Sequence, residues 1–91
     1  MATTSTILVA DDDSGIRTVV TQALVRSGYD VIPVGDGTSM MDKVRSGEGD
    51  LLVTDVILPD GNGLDMIPEI QALRPDMKII VMSAQTTLMT A

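Results

Sequence analysis

The 91-residue sequence contains no cysteine, so a disulfide framework and a zinc–thiolate centre are both excluded. Aromatic side chains are nearly missing, with Tyr29 the single example. Any core is therefore aliphatic, built from Ile, Val and Leu along the whole length and from 7 methionines, which read as core filler. Basic residues are scarce: 6 Lys and Arg against 13 Asp and Glu give a net charge of −7. A chain this acidic, without a basic run, suits a cation or a basic partner and is a poor match for nucleic acid or an anionic membrane. Long apolar runs are also lacking. The Met-Ala-Thr-Thr-Ser-Thr start has no basic cluster, and the apolar run after it is too short for a signal sequence or a membrane span. The expectation is a cytoplasmic protein, with residues 1–5 as a tail and residues 6–91 as one small domain.

What the sequence does contain is a regular alternation. Residues 6–10, T-I-L-V-A, form a continuous apolar run and predict a strand buried on both faces. Ser14 is placed to cap a helix whose stripe is Ile16, Val19, Val20, Ala23 and Leu24, with Gly28 as its left-handed end. Residues 30–34 predict a second strand, which Pro33 assigns to an edge or a strand end. A helix from about Thr38 to Ser46 buries Met40, Met41 and Val44 and breaks at Gly47 and Gly49. Residues 51–54 predict a third strand running into Asp55. The loop V-I-L-P-D-G-N-G follows, and Asn62 caps a third helix carrying Leu64, Ile67, Ile70 and Leu73. Pro68 falls in or near its first turns and Pro75 stops it. Residues 78–82 predict a fourth strand ending at Ser83, and the last eight residues begin another helix.

This βαβαβαβ order predicts a parallel sheet with helices on both faces. All strands of such a sheet end at one rim, where ligands bind. Asp11, Asp12 and Asp13 follow the first strand, Asp55 the third and Ser83 the fourth. Close carboxylates raise one another's pKa, and a hard cation such as Mg²⁺ relieves the repulsion. Carboxylates with Mg²⁺ suit phosphoryl transfer. Asp55, alone at its strand end, reads as the nucleophile, and Asp11 and Asp12 as the metal holders. Asp13 reads as a lead-in to the Ser14 cap.

The combination of apolar-Asp-Asp, apolar-Asp-x3-Pro-x3-Gly and apolar-Ser-Ala resembles the receiver domain of two-component response regulators, from Thr6 onward. Asp11 and Asp12 match that family's acidic pair. Asp55 matches its phosphoacceptor, with Pro59 and Gly63 at the expected offsets, and Ser83-Ala84 matches its phosphoryl-sensing pair. The resemblance implies a flavodoxin-like fold with strand order 2-1-3-4. It also implies Mg²⁺ held by Asp12, Asp55, Asp11 partly through water, and the backbone carbonyl of Ile57. A sensor histidine kinase is the implied phosphoryl donor, and the module is a switch rather than a metabolic enzyme. D-D-D-S-G-I-R and V-M-S-A-Q are most similar to the nitrogen-regulation (NtrC) type, in which output domains act on sigma-54 polymerase and bind DNA. Against a complete receiver, strand five, helix five and the strand-five Lys are expected to be missing. Self-association through the strand-four edge is expected, and the alternative to a working phosphoacceptor is an interaction fragment that folds but is not phosphorylated. Asp11-x-Asp13 also loosely resembles the start of haloacid-dehalogenase-type phosphatases, but Gly15 and the lack of a later Lys motif disfavour that reading.

Overall fold

The computed structural model describes residues 5–82. It contains β1 (Thr6–Ala10), α1 (Ser14–Arg26), β2 (Asp30–Val34), α2 (Gly37–Arg45), β3 (Leu51–Asp55), β4 (Ile57–Leu58), β5 (Gly61–Asn62), α3 (Gly63–Leu73) and β6 (Lys78–Met82). β2, β1, β3 and β6 form one parallel sheet in that order, and β6 is the fourth of its strands in sequence. The expected order 2-1-3-4 is therefore the observed one. β2 lies at an edge, where the missing N–H of Pro33 breaks no central ladder. A small antiparallel pair, β4 with β5, was not anticipated and lies within the Gly- and Pro-rich loop.

Alternation along the strands divides the core in two. Leu8, Ala10 and Leu52 pack with Met40, Met41 and Val44 of α2 and Ile70 of α3. Ile7, Val9 and Val53 point the other way, where Val20 and Leu24 of α1 meet them. The first side is dense, with Leu8, Met40, Val44, Leu52 and Ile70 fully buried.

Three sequence expectations need correction. Asp13, not Ser14, is the α1 N-cap; its carboxylate accepts the Ile16 N–H at 3.0 Å. A carboxylate there also faces the positive end of the helix dipole, which a hydroxyl cannot match. The α1 stripe is only partly used: Val20 and Leu24 pack inward, while Ile16 and Val19 are 45% and 66% exposed and Ala23 is exposed too. In α3, Ile70 is buried but Leu64 and Leu73 are exposed. Helical periodicity marks an apolar stripe, but packing covers it only where a neighbour exists. Gly28 does end α1 with a positive φ of 97°, and Asn62 does cap α3 through the Leu64 N–H at 2.8 Å.

At the edge where the strands begin, Arg74 locks the α2–β3 connection. Its guanidinium donates to the carbonyls of Val44 at 3.2 Å, Glu48 at 3.1 Å and Gly49 at 2.6 Å. Val44 lies in the last turn of α2, and Glu48 and Gly49 lie in the connection that follows it. Two clefts of about 330 and 320 Å³ lie at this same edge, the second lined by Ile7, Leu24, Tyr29, Leu51 and Lys78 among others. Among the described residues, no helix is long and apolar enough to cross a membrane.

Candidate metal and phosphoryl site

β1 and β3 are adjacent and parallel, with Ala10 opposite Thr54. Residues just beyond these partners therefore share one rim. Asp11, Asp12 and Asp55 each bring a carboxylate oxygen to a cluster in which all three atoms lie within 4.8 Å of one another. Asp11 is buried, Asp55 half-buried and Asp12 exposed.

Each carboxylate is held differently. Asp11 accepts the Asp13 N–H through Oδ1 at 2.9 Å, and its own N–H donates to the Val34 carbonyl at 3.1 Å. Burial raises the Asp11 pKa above its ordinary value; the Asp13 N–H opposes this, and the charges of Asp55, Asp12 and Asp13 add to the rise. Asp55 uses Oδ1 to accept the Val56 N–H at 2.7 Å. The Val56 N–H also donates to the Met82 carbonyl at 3.2 Å, which fastens the segment after Asp55 to β6.

A fully oxygen-based set with a carboxylate already resisting ionisation is the donor chemistry a hard cation fits. Arg17 contributes from α1, donating to the Asp11 carbonyl at 2.7 Å. It fixes the main chain of the acidic run and brings positive charge close to it. Arg17 closes the D-D-D-S-G-I-R run, but its bond to the Asp11 carbonyl is a product of the fold that the motif does not spell out.

Gly63 is required by this geometry. A Cβ there would collide with the Asp55 carbonyl oxygen and crowd that of Val56. The Gly63 N–H donates to the Val56 carbonyl at 2.6 Å, so α3 begins in contact with the chain beside Asp55. The Pro59 and Gly63 offsets thus describe one tight hairpin between β3 and α3.

Of the remaining expected site residues, Ser83 lies outside the described residues, as does the start of the last helix. Ile57 lies in β4, two residues beyond Asp55, and is 58% exposed. Asp13 is spent as a cap, which removes the basis of the phosphatase-like Asp11-x-Asp13 reading. Lys78 begins β6 opposite Leu51, whereas Asp55 faces Met82. Four residues of strand put it about 13 Å along the sheet from the acidic rim, so it is no substitute for a rim lysine.

The Response regulator receiver domain family matches residues 7–91. This chain belongs to that family. The receiver is 59% identical over 87 residues to the DNA-binding transcriptional regulator NtrC of Azospirillum brasilense, covering 96% of this chain and 18% of the relative. It is 53% identical over 89 residues to NtrC of Rhizobium meliloti, covering 98% of this chain and again 18% of the relative. It is therefore an NtrC-like receiver domain that spans less than a fifth of the NtrC relatives' length. Among solved structures it resembles the Thermotoga maritima response regulator TrrA in complex with Mg²⁺-BeF, with TM-score 0.83 and 34% identity over 88% of this chain and 70% of that one. TrrA bound to the histidine kinase ThkA matches with TM-score 0.81 and 34% identity, over 88% of this chain and 69% of that one.

Proposed function

We propose that this receiver domain accepts a phosphoryl group on Asp55, with Mg²⁺ held by Asp11, Asp12, Asp55 and the Ile57 carbonyl, and passes the signal to output domains of an NtrC-type regulator. The observation that carries this reading is the meeting of three carboxylate oxygens within 4.8 Å, although Asp12 and Asp55 stand 43 residues apart in sequence. One Asp55 oxygen, Oδ1, accepts the Val56 N–H, which orients the carboxylate, and Oδ2 is proposed as the attacking atom. In the transfer, that oxygen bonds to phosphorus while the bond from phosphorus to the donor's leaving atom breaks and its electron pair departs with the donor. Mg²⁺, when bound, neutralises charge on the phosphoryl oxygens. Asp11, buried and bonded to the Asp13 N–H, and Asp12, exposed at the rim, would hold it.

A sensor histidine kinase is the proposed donor, supported by the kinase complex of the related TrrA. Ser83 is proposed as the hydroxyl that senses the phosphoryl group. Nitrogen regulation through sigma-54-type and DNA-binding output domains is proposed from the NtrC relatives. We propose also that the isolated 91-residue chain self-associates along β6, which is the outer strand among the described residues and exposes Ile80 and Val81. Light scattering at high concentration checks this, and a strictly monomeric species would count against it.

The phosphoryl reading is tested by incubating the chain with Mg²⁺ and acetyl phosphate and measuring its intact mass beside Asp55→Asn. The expected result is a Mg²⁺-dependent phosphoryl adduct in the parent chain and none in the variant. An adduct that persists in Asp55→Asn would place the nucleophile elsewhere. No adduct in either chain would favour a receiver that folds without accepting phosphate.

A further inference from the structure

The first turn of α2 leaves the N–H groups of Gly37, Thr38 and Ser39 without intrahelical partners. Asp36 supplies the local cap and accepts the Ser39 N–H at 2.7 Å. The other two are taken by a residue from a different part of the chain. Asp60 Oδ1 accepts the Gly37 N–H at 2.7 Å, and Oδ2 accepts the Thr38 N–H at 2.8 Å and the Thr38 hydroxyl at 2.6 Å. The Thr38 hydroxyl first, and then the two amides, draw the Asp60 pKa down to about 2. The fit is close: a Cβ on Gly37 would come within 2.9 Å of Asp60 Oδ1 and 2.5 Å of Met66 Cε.

Asp60 lies at the tip of the β4–β5 hairpin, between Pro59 and Gly61. The base of that hairpin is fastened by the Gly63 N–H to Val56 carbonyl bond and by the bond from Val56 to Met82. Its body has two residue pairs, Ile57 with Asn62 and Leu58 with Gly61. So short a pair has little stability of its own. Asp60 is the anchor that ties its free end to α2, whose Met40 and Val44 are fully buried against the sheet.

We infer that Asp60 is a positioning residue for the metal site: by clamping the hairpin tip to the α2 N-terminus, it holds the Ile57 carbonyl in its ligand position. This rests on the proposed reading that Ile57 completes the ligand set. Partners that orient ligands typically account for tenfold or more in metal affinity.

The test is a Mg²⁺ titration of the chain followed by amide NMR shifts, together with hydrogen exchange of the Gly63 amide. Asp60→Ala is expected to weaken Mg²⁺ binding about tenfold and to speed Gly63 exchange. Asp60→Asn, which keeps one acceptor oxygen, is expected to fall between. Thr38→Val keeps every charge and deletes one bond to Asp60, so it is expected to weaken binding by a smaller factor. Arg74→Ala loosens the opposite edge and is expected to leave the Mg²⁺ constant unchanged; Val20→Ala replaces it if Arg74→Ala does not fold. A parental Mg²⁺ constant in Asp60→Ala would overturn the inference. So would equal losses in Asp60→Ala and Asp60→Asn with none in Thr38→Val, because charge alone would then explain them. If the parent chain binds no Mg²⁺, the parent reading fails; unchanged Gly63 exchange in Asp60→Ala would then overturn the clamp as well.

Discussion

The two faces of the sheet are built from the same four strands and the same aliphatic alphabet, yet they are packed very differently. On the α2–α3 face, Leu8, Leu52, Met40, Val44 and Ile70 are fully buried together. On the α1 face, Ile7, Val9 and Val53 are buried, but α1 itself has no fully buried residue. Packing quality is thus a property of the layer that covers a strand and not of the strand. The site follows the denser face: the hairpin that carries Ile57 and Asp60 is bolted to α2 and α3, and α1 contributes mainly the Asp13 cap and Arg17.

Substitutions can break this contrast or sharpen it. The largest effect is expected for Leu52→Ala, where a fully buried side chain at the centre of the dense face leaves a cavity. A loss of about 3 kcal/mol is expected from urea unfolding. A matched valine series then grades the two faces directly. Val44→Ala, fully buried on α2, is expected to cost about 2 kcal/mol, and Val20→Ala, half-buried on α1, about 1 kcal/mol. Val19→Ala, 66% exposed, is expected within about 0.5 kcal/mol of the parent. Equal losses at Val44 and Val20 would mean that the α1 face is covered as well as the other.

The smallest effect is a dependence on pH. The folded pKa of Asp60 lies near 2, below its ordinary value of 3.8. Its contribution to stability is therefore complete above pH 3.8 and is lost as pH falls through the window down to about 2. Asp11 acts oppositely: its folded pKa is raised, so its charge opposes folding above that pKa and the penalty is relieved as pH falls through it. Asp60→Asn removes only the first contribution. Thermal midpoints of parent and Asp60→Asn are expected to differ most at pH 5 and to converge towards pH 3. A difference that widens on acidification would mean that Asp60 is not an ionised clamp.

Much of this was legible in sequence because the signals were local. Residues 6–10 and 51–54 read as strands from their apolar runs, and the rim placement of Asp11, Asp12 and Asp55 follows once those strands are parallel neighbours. The α2 core positions Met40, Met41 and Val44 followed from periodicity. Ser14 was mistaken for the cap because hydroxyl and carboxylate capping look alike in sequence, and only backbone geometry chooses between Asp13 and Ser14. Asp60 stood in a Pro-Asp-Gly turn signature that explains it locally; its real partners are 22 and 23 residues away. Arg74, whose acceptors lie 25 to 30 residues away, was invisible for the same reason.

By itself, the sequence determined the order of elements, the aliphatic core and the presence of acidic groups at strand ends, because hydrophobic period and turn chemistry act over a few residues. Only the tertiary structure decided which apolar stripe is covered, which aspartate caps and which clamps, and how near the three carboxylates come. Those outcomes depend on contacts between segments distant in sequence, and no local pattern encodes the distance between them.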